Sequence, residues 1–287
     1  MPSRPWMFTI VVFWLGATGW SLYRDLWPRL KARDAPPFTI DLAEEAGGRH
    51  AAALWKVLWK GQRVGKAETW VQRHAPDDTY ELHSEYTFDN FRIGIVEVKM
   101  MESMHRVTKE GELREVLANV TIAIAGFPKP MEATMKGIVK GHRLTPHLHI
   151  EKSPFGTQDL EMDPVDVPAQ HSMLSPLLPW NRLTDVQPNQ RWQIAVFDPL
   201  RDSLAAALPG TAGGQRVLEA GVREETDQDF IILKNIRMPC HVIEYRGDDM
   251  KALTWVRKSD GLVLRQEAIR HEGTIQEERL ALERDYQ

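Results

Sequence analysis

The sequence is poor in the groups that usually announce chemistry. It holds one cysteine, Cys240, so no internal disulfide can form and cysteine usage does not assign a redox compartment. No phosphate-cradling glycine loop, G-x-S-x-G nucleophile elbow or dinucleotide fingerprint occurs, which removes the common nucleotide and serine-hydrolase signatures. Charge of neither sign dominates. A net charge of −4 over 287 residues provides no polyelectrolyte footprint and argues against a nucleic-acid partner. There is no fixed-period repeat and no low-complexity tract.

One long apolar run is present. Residues 6–23, WMFTIVVFWLGATGWSLY, carry no charge between Arg4 and Arg24. Eighteen helical residues reach roughly 27 Å, close to the ~30 Å hydrocarbon core of a bilayer. Trp6 at one end and Trp20 and Tyr23 at the other suit the membrane interface. The run is therefore expected to be an N-terminal transmembrane helix over residues 1–23. The alternative is a cleaved signal peptide with Ala17-Thr18-Gly19 as its small-residue site. Arg24, Arg29, Lys31 and Arg33 follow the run and only Arg4 precedes it. By the positive-inside tendency these flanks leave the rest of the chain in the cytoplasm.

Residues 24–50 read as a juxtamembrane linker, with Pro28, Pro36 and Pro37 and a short helix over Leu42–Ala46 stopped at Gly47-Gly48. Residues 51–287 then read as one β domain. Leu54–Trp59 and Lys66–Val71 form a hairpin around Gly61–Gly65, and Tyr80–Phe88 alternates polar and apolar with period two. Arg92–Arg106 continues the alternation. Leu113–Ala125 is one long strand or a pair, and Met131–Lys140 and Arg143–Glu151 meet at Gly141-His142. Residues 153–189, with prolines at 154, 164, 168, 176, 179 and 188, break the rhythm as a long loop with a short helix over 169–178. Strands resume over Arg191–Phe197, Arg216–Glu225, Cys240–Arg246, Lys251–Arg257 and Leu262–Arg270, the last two joined by a tight turn at Ser259-Asp260-Gly261, and residues 275–284 close the domain. Residues 200–208 read as a helical turn or an extension of the strand before them. The expected fold is mainly β: a single curved antiparallel sheet, a half-barrel-like meander with one or two short helices.

Catalysis finds little support. Cys240 and His241 are adjacent on a strand and point to opposite faces, so the histidine cannot serve as the thiol's base. His147 and His149 share a face and form half of a metal site, which would need His142 or Glu151 as a third ligand; no metal is assigned. The acidic pairs Glu224-Glu225, Asp227/Asp229 and Asp248-Asp249 have turn composition and need no catalytic explanation. No catalytic residue and no cofactor is assigned. A curved sheet instead offers a concave face, and Trp55, Trp59, Trp70, Phe88, Met100, Met135 and Trp192 are the candidates to line it, either around a lipid or acyl group or as simple core filling.

Three segments carry a resemblance. WKVLWKGQRVGKAETWV (residues 55–71), QPNQRWQIAVFDPL (187–200) and LTWVRKSDGLVLRQEA (253–268) resemble, in order and spacing, the hairpins of DUF3108-like extracytoplasmic β proteins. They also resemble the N-terminal domains attached to bacterial transglutaminase-like proteins and, more distantly, the curved sheets of lipoprotein carriers. Asn189 stands where that pattern often has glycine. The resemblance implies a domain outside the cytoplasm on a single-pass inner-membrane anchor, opposite to the orientation the flanking charges favour. The apolar run, the meander and the absence of a catalytic constellation together lead to the expectation of a non-enzymatic role, binding an apolar ligand or a protein partner. The alternatives are an accessory domain for a separate transglutaminase-like or protease-like partner, and a hydrolase whose site carries no familiar motif.

Overall fold

Period-two alternation runs through almost every ordered segment, and the outcome is one large antiparallel sheet. The computed structural model describes residues 40–47, 52–152, 156–167, 180–197, 216–224, 226, 229–247, 250–272 and 276–285. The expected span at residues 6–23, the helix at 169–178 and the segment 200–208 lie outside the described residues. Among the described residues no helix is long and apolar enough to cross a membrane.

The strands are β1 (Ala53–Trp59), β2 (Gln62–His74), β3 (Thr79–Ile93), β4 (Val96–Val107), β5 (Leu113–Ile124), β6 (Met131–Lys140), β7 (Arg143–Glu151), β8 (Gln158–Glu161), β9 (Val165–Asp166), β10 (Arg191–Val196), β11 (Arg216–Val222), β12 (Phe230–Leu233), β13 (Ile236–Arg246), β14 (Met250–Arg257), β15 (Val263–Glu272) and β16 (Gln276–Arg284). The order across the sheet is β10-β11-β13-β14-β15-β16-β1-β2-β3-β4-β5-β6-β7-β8, with β12 on β13 and β9 on β7. The last strand thus pairs with the first, Val57 opposite Leu282, and joins two meanders into one sheet. The sheet is not closed by hydrogen bonds between β10 and β8.

Three details differ from the sequence reading. Arg92–Arg106 is not one strand, because Gly94, at φ 60°, turns the chain between β3 and β4. Leu113–Ile124 is the one long strand that the sequence allowed as an alternative to a pair. The proline-rich stretch 153–189 contains the short strands β8 and β9, and β12 was not anticipated at all.

The inner face carries the core. One cluster joins Trp55, Val57, Trp192, Ile243, Tyr245 and Leu282, so β10 and β11 roll over onto the strands around β1. A second joins Tyr80, Leu82, Val116, Met135 and Leu144 to Phe197, just past the end of β10. The two sheet margins therefore meet through side chains where no backbone ladder joins them. The helix α1 (Leu42–Gly47) closes one end. Asp41 caps it, its carboxylate accepting from the amides of Ala43 and Glu44 at 3.0 Å each. Leu42 enters the second cluster, while Ile40 and Trp180 touch both. At the same end Glu45 accepts from Asn181 at 2.8 Å, and Arg284 donates to the Asn181 side chain while lying 5.4 Å from the Trp55 ring centre. Burial raises the Glu45 pKa.

Candidate functional site

Cross-strand register sorts the candidate residues onto faces. Tyr80, Leu82, Ser84, Tyr86 and Phe88 alternate inward along β3, and each faces an inward residue of β4 or β2. Trp55 and Trp192 are inner and almost wholly enclosed, at 1 % and 0 % exposure, as is Met135. Trp55 donates to Thr69 at 3.0 Å, and Trp192 meets Tyr245 edge-on with ring centres 6.3 Å apart. These three residues are core. Trp59 and Phe88 are inner and partly exposed, linked through Phe91 at 5.3 and 5.0 Å between ring centres.

Trp70 and Met100 are on the opposite, outer face, so the expected lining is corrected at both positions. Thr69 faces inward to Trp55, which turns Trp70 outward, where it stacks on His83 with ring centres 4.8 Å apart. Met100 pairs with Thr87, whose neighbours Tyr86 and Phe88 face inward. A bulge between Val98 and Met100 flips the alternation, so Met101 takes the inward place.

The inner face of β3–β7 changes character along its length. Toward α1 it is sealed: Leu82, Val116, Ala118, Met135 and Leu144 are buried. Toward the β3–β4 and β5–β6 turns the inward positions are Phe91, Met101, Val120, Ile122, Met131 and Ala133, all apolar and all partly exposed. This partly open apolar stretch of the inner face, the trough, is a surface of the type that receives an apolar ligand. The signal for most of it was in the sequence: Val120 and Ile122 on β5, and Met131 and Ala133 on β6, repeat at two-residue spacing.

A polar line marks where the trough stops. Ser84 and Ser103, opposite one another, share a hydrogen bond of 2.7 Å, and Ser84 is buried. One step deeper lies His105, 8 % exposed, between Leu82 and Val116. Its Nδ1 meets no hydrogen-bond partner. Burial, aided by the nearby His83, lowers its pKa from 6.5 to about 4, so the ring is neutral at pH 7. Neutral hydroxyls and imidazole can donate to or accept from a polar group, but they supply no charge. The sequence reading missed all three residues, because nothing local distinguishes an inward serine from an outward one.

The other candidates fall elsewhere. His147 and His149 face outward. His149 is held by Asp159 at 2.6 Å and Glu151 at 3.1 Å, which raise its pKa by hydrogen bonding. No grouping of three or more metal-ligating side chains occurs among the described residues. Cys240 is 1 % exposed beneath β12 with Leu262 and Leu264, and burial pushes its pKa up to about 11, so it is a thiol, not a thiolate. A cavity of about 500 Å³ lies between β12 and the outer surface of β15, β16 and β1. Arg265 in its wall is occupied by Glu283 at 2.7 Å and Glu267 at 3.1 Å, which leaves it little to offer an anion.

No family model matches the sequence, and no curated protein matches it. One solved structure is similar, a beta-barrel-like protein of domain of unknown function DUF1849 from Brucella abortus. It is 9 % identical, with a TM-score of 0.40 over 82 % of this chain and 95 % of that one.

Proposed function

We propose that this chain is a non-enzymatic, membrane-anchored extracytoplasmic β domain that binds an apolar ligand of the acyl-chain class in the trough of β3–β7. The observation that carries the reading is the run of partly exposed apolar side chains on an inner face whose other end is sealed. The apolar run at residues 6–23 supports the anchor, and the resemblance of the three hairpin segments to DUF3108-like proteins supports the location outside the cytoplasm. The neutral Ser84, Ser103 and His105 at the floor favour an uncharged inner end of the ligand.

The test is native mass spectrometry of the full chain released from micelles, with the Ala133→Trp variant beside it. Ala133 is inward and partly exposed, so an indole there fills the trough without overpacking the sealed core. The wild type is expected to retain acyl lipid and the variant to lose it. Equal retention by both, or none by either, refutes the reading.

A further inference from the structure

We infer that the open rim of the trough docks on an anionic lipid surface. The inference deepens the ligand reading by naming a bilayer as the ligand's source, and it rests on that reading. It starts from two turns. Gly94, at φ 60°, precedes Ile95, and Gly126, at φ 91°, precedes Phe127. In each turn a left-handed glycine, which tolerates that backbone where a side chain is strained, throws the following apolar residue to the tip. The amide of Ala125 donates to the carbonyl of Ile95 at 3.0 Å, which holds the two tips side by side. Ile95 is 69 % exposed and Phe127 46 %. Both stand directly beyond Ile122 and Met131 at the trough's mouth.

The charge around these tips fits a negative surface. Lys60, Arg63, Arg92, Lys99 and Lys129 are exposed on the same rim. Against them stand exposed Asp89 and a Glu97 already bound by both Arg92, at 3.2 Å, and Lys99. Lys152 pairs with Glu132 at 2.5 Å, and exposed Glu151 is hydrogen-bonded to His149 at 3.1 Å; Glu272, Glu277 and Glu278 lie farther round the edge, at the β15–β16 turn beyond Lys60. Two apolar tips inside a basic collar match an interface of acyl chains under anionic headgroups. A water-filled exit would expel an acyl chain at the cost of its whole apolar surface, whereas a mouth seated on a bilayer passes it between apolar surroundings. The rim is also the end remote from α1. β3 alone, at 15 residues, spans roughly 50 Å. A chain anchored ahead of α1 therefore presents its mouth away from its own point of attachment.

The experiment uses the full chain in phosphatidylcholine vesicles, with an environment-sensitive fluorophore attached through Pro128→Cys beside the Phe127 tip. Cys240 is buried and is not labelled under mild conditions. Vesicles of equimolar phosphatidylglycerol and phosphatidylcholine are then added. The expected result is a blue-shifted rise in emission that is weakened by salt, with at least about tenfold weaker apparent affinity in the Ile95→Glu/Phe127→Glu double variant. A rise of equal affinity in the double variant overturns the inference, as does no rise at all. A rise that depends on protein concentration without added vesicles assigns the rim to a second copy of the chain and likewise overturns it. Retained acyl lipid is measured by native mass spectrometry on the same protein preparations, released from micelles before they enter vesicles. A rim variant that keeps its lipid while losing vesicle binding separates the two sites. Vesicle binding without any retained lipid refutes the ligand reading alone.

Discussion

The two ends of the β3–β7 inner face are built from the same kind of residue and behave differently. At the α1 end Leu82, Val116, Met135 and Leu144 are enclosed by Leu42 from the helix and by Phe197 from the far margin of the sheet. At the other end Val120, Ile122 and Met131 have equal apolarity but no such cover among the described residues and remain partly exposed. Apolar character is therefore not what separates core from site. Cover is what separates them: a short capped helix and a single strand terminus convert one half of a continuous surface into core.

That contrast can be broken most severely by truncating matching side chains. Leu144→Ala, at a residue with 0 % exposure, is expected to cost about 4 kcal/mol in urea unfolding of the full chain, from lost burial plus an uncollapsed cavity. Ile122→Ala at the open end is expected to cost about 1 kcal/mol, since the side chain is already partly hydrated. Similar losses at the two sites would mean that the ends are equally packed.

A second way to sharpen it uses pH. The folded pKa of His105 is lowered to about 4 from 6.5, so the unfolded chain takes up the proton first as pH falls. The neutral ring's contribution is fully present above pH 6.5 and is lost as pH drops through the folded value near 4. At 1.36 kcal/mol per unit the loss is about 3 kcal/mol. Denaturation midpoints measured between these pH values should fall in the wild type and stay flatter in His105→Leu. A water-filled trough reaching as far as His105 would return its pKa toward 6.5 and erase the difference.

How much of this was legible in the chain follows from which interactions are local. The hairpin at Gly141-His142, the turn at Ser259-Asp260-Gly261 and the short helix before β1 are written in adjacent residues, and the structure places all three as read. The β1–β16 pairing joins residues more than two hundred positions apart and leaves no local mark. Faces were legible only where alternation is unbroken. Trp55, Phe88, Met135 and Trp192 are inward as read. Met100 is not, because one extra residue at the Val98/Met100 bulge reverses parity, and a bulge is set by partner strands that the sequence does not order. Trp70 is outward because Thr69 holds the inward position, accepting from the Trp55 indole. The serines and histidine at the trough floor were invisible for the same reason: their meaning comes from the face they occupy.

The central claim is that one end of the inner face receives an apolar chain and the other does not. The most direct measurement is quenching of tryptophan emission by a brominated fatty acid, compared among the wild type, Trp59→Phe and Trp55→Phe. Trp59 lies beside Phe91 on the partly exposed side, and Trp55 is sealed at 1 % exposure. Saturable quenching that disappears in Trp59→Phe and persists in Trp55→Phe is the predicted result; quenching unchanged in Trp59→Phe, or lost equally in both variants, would contradict it.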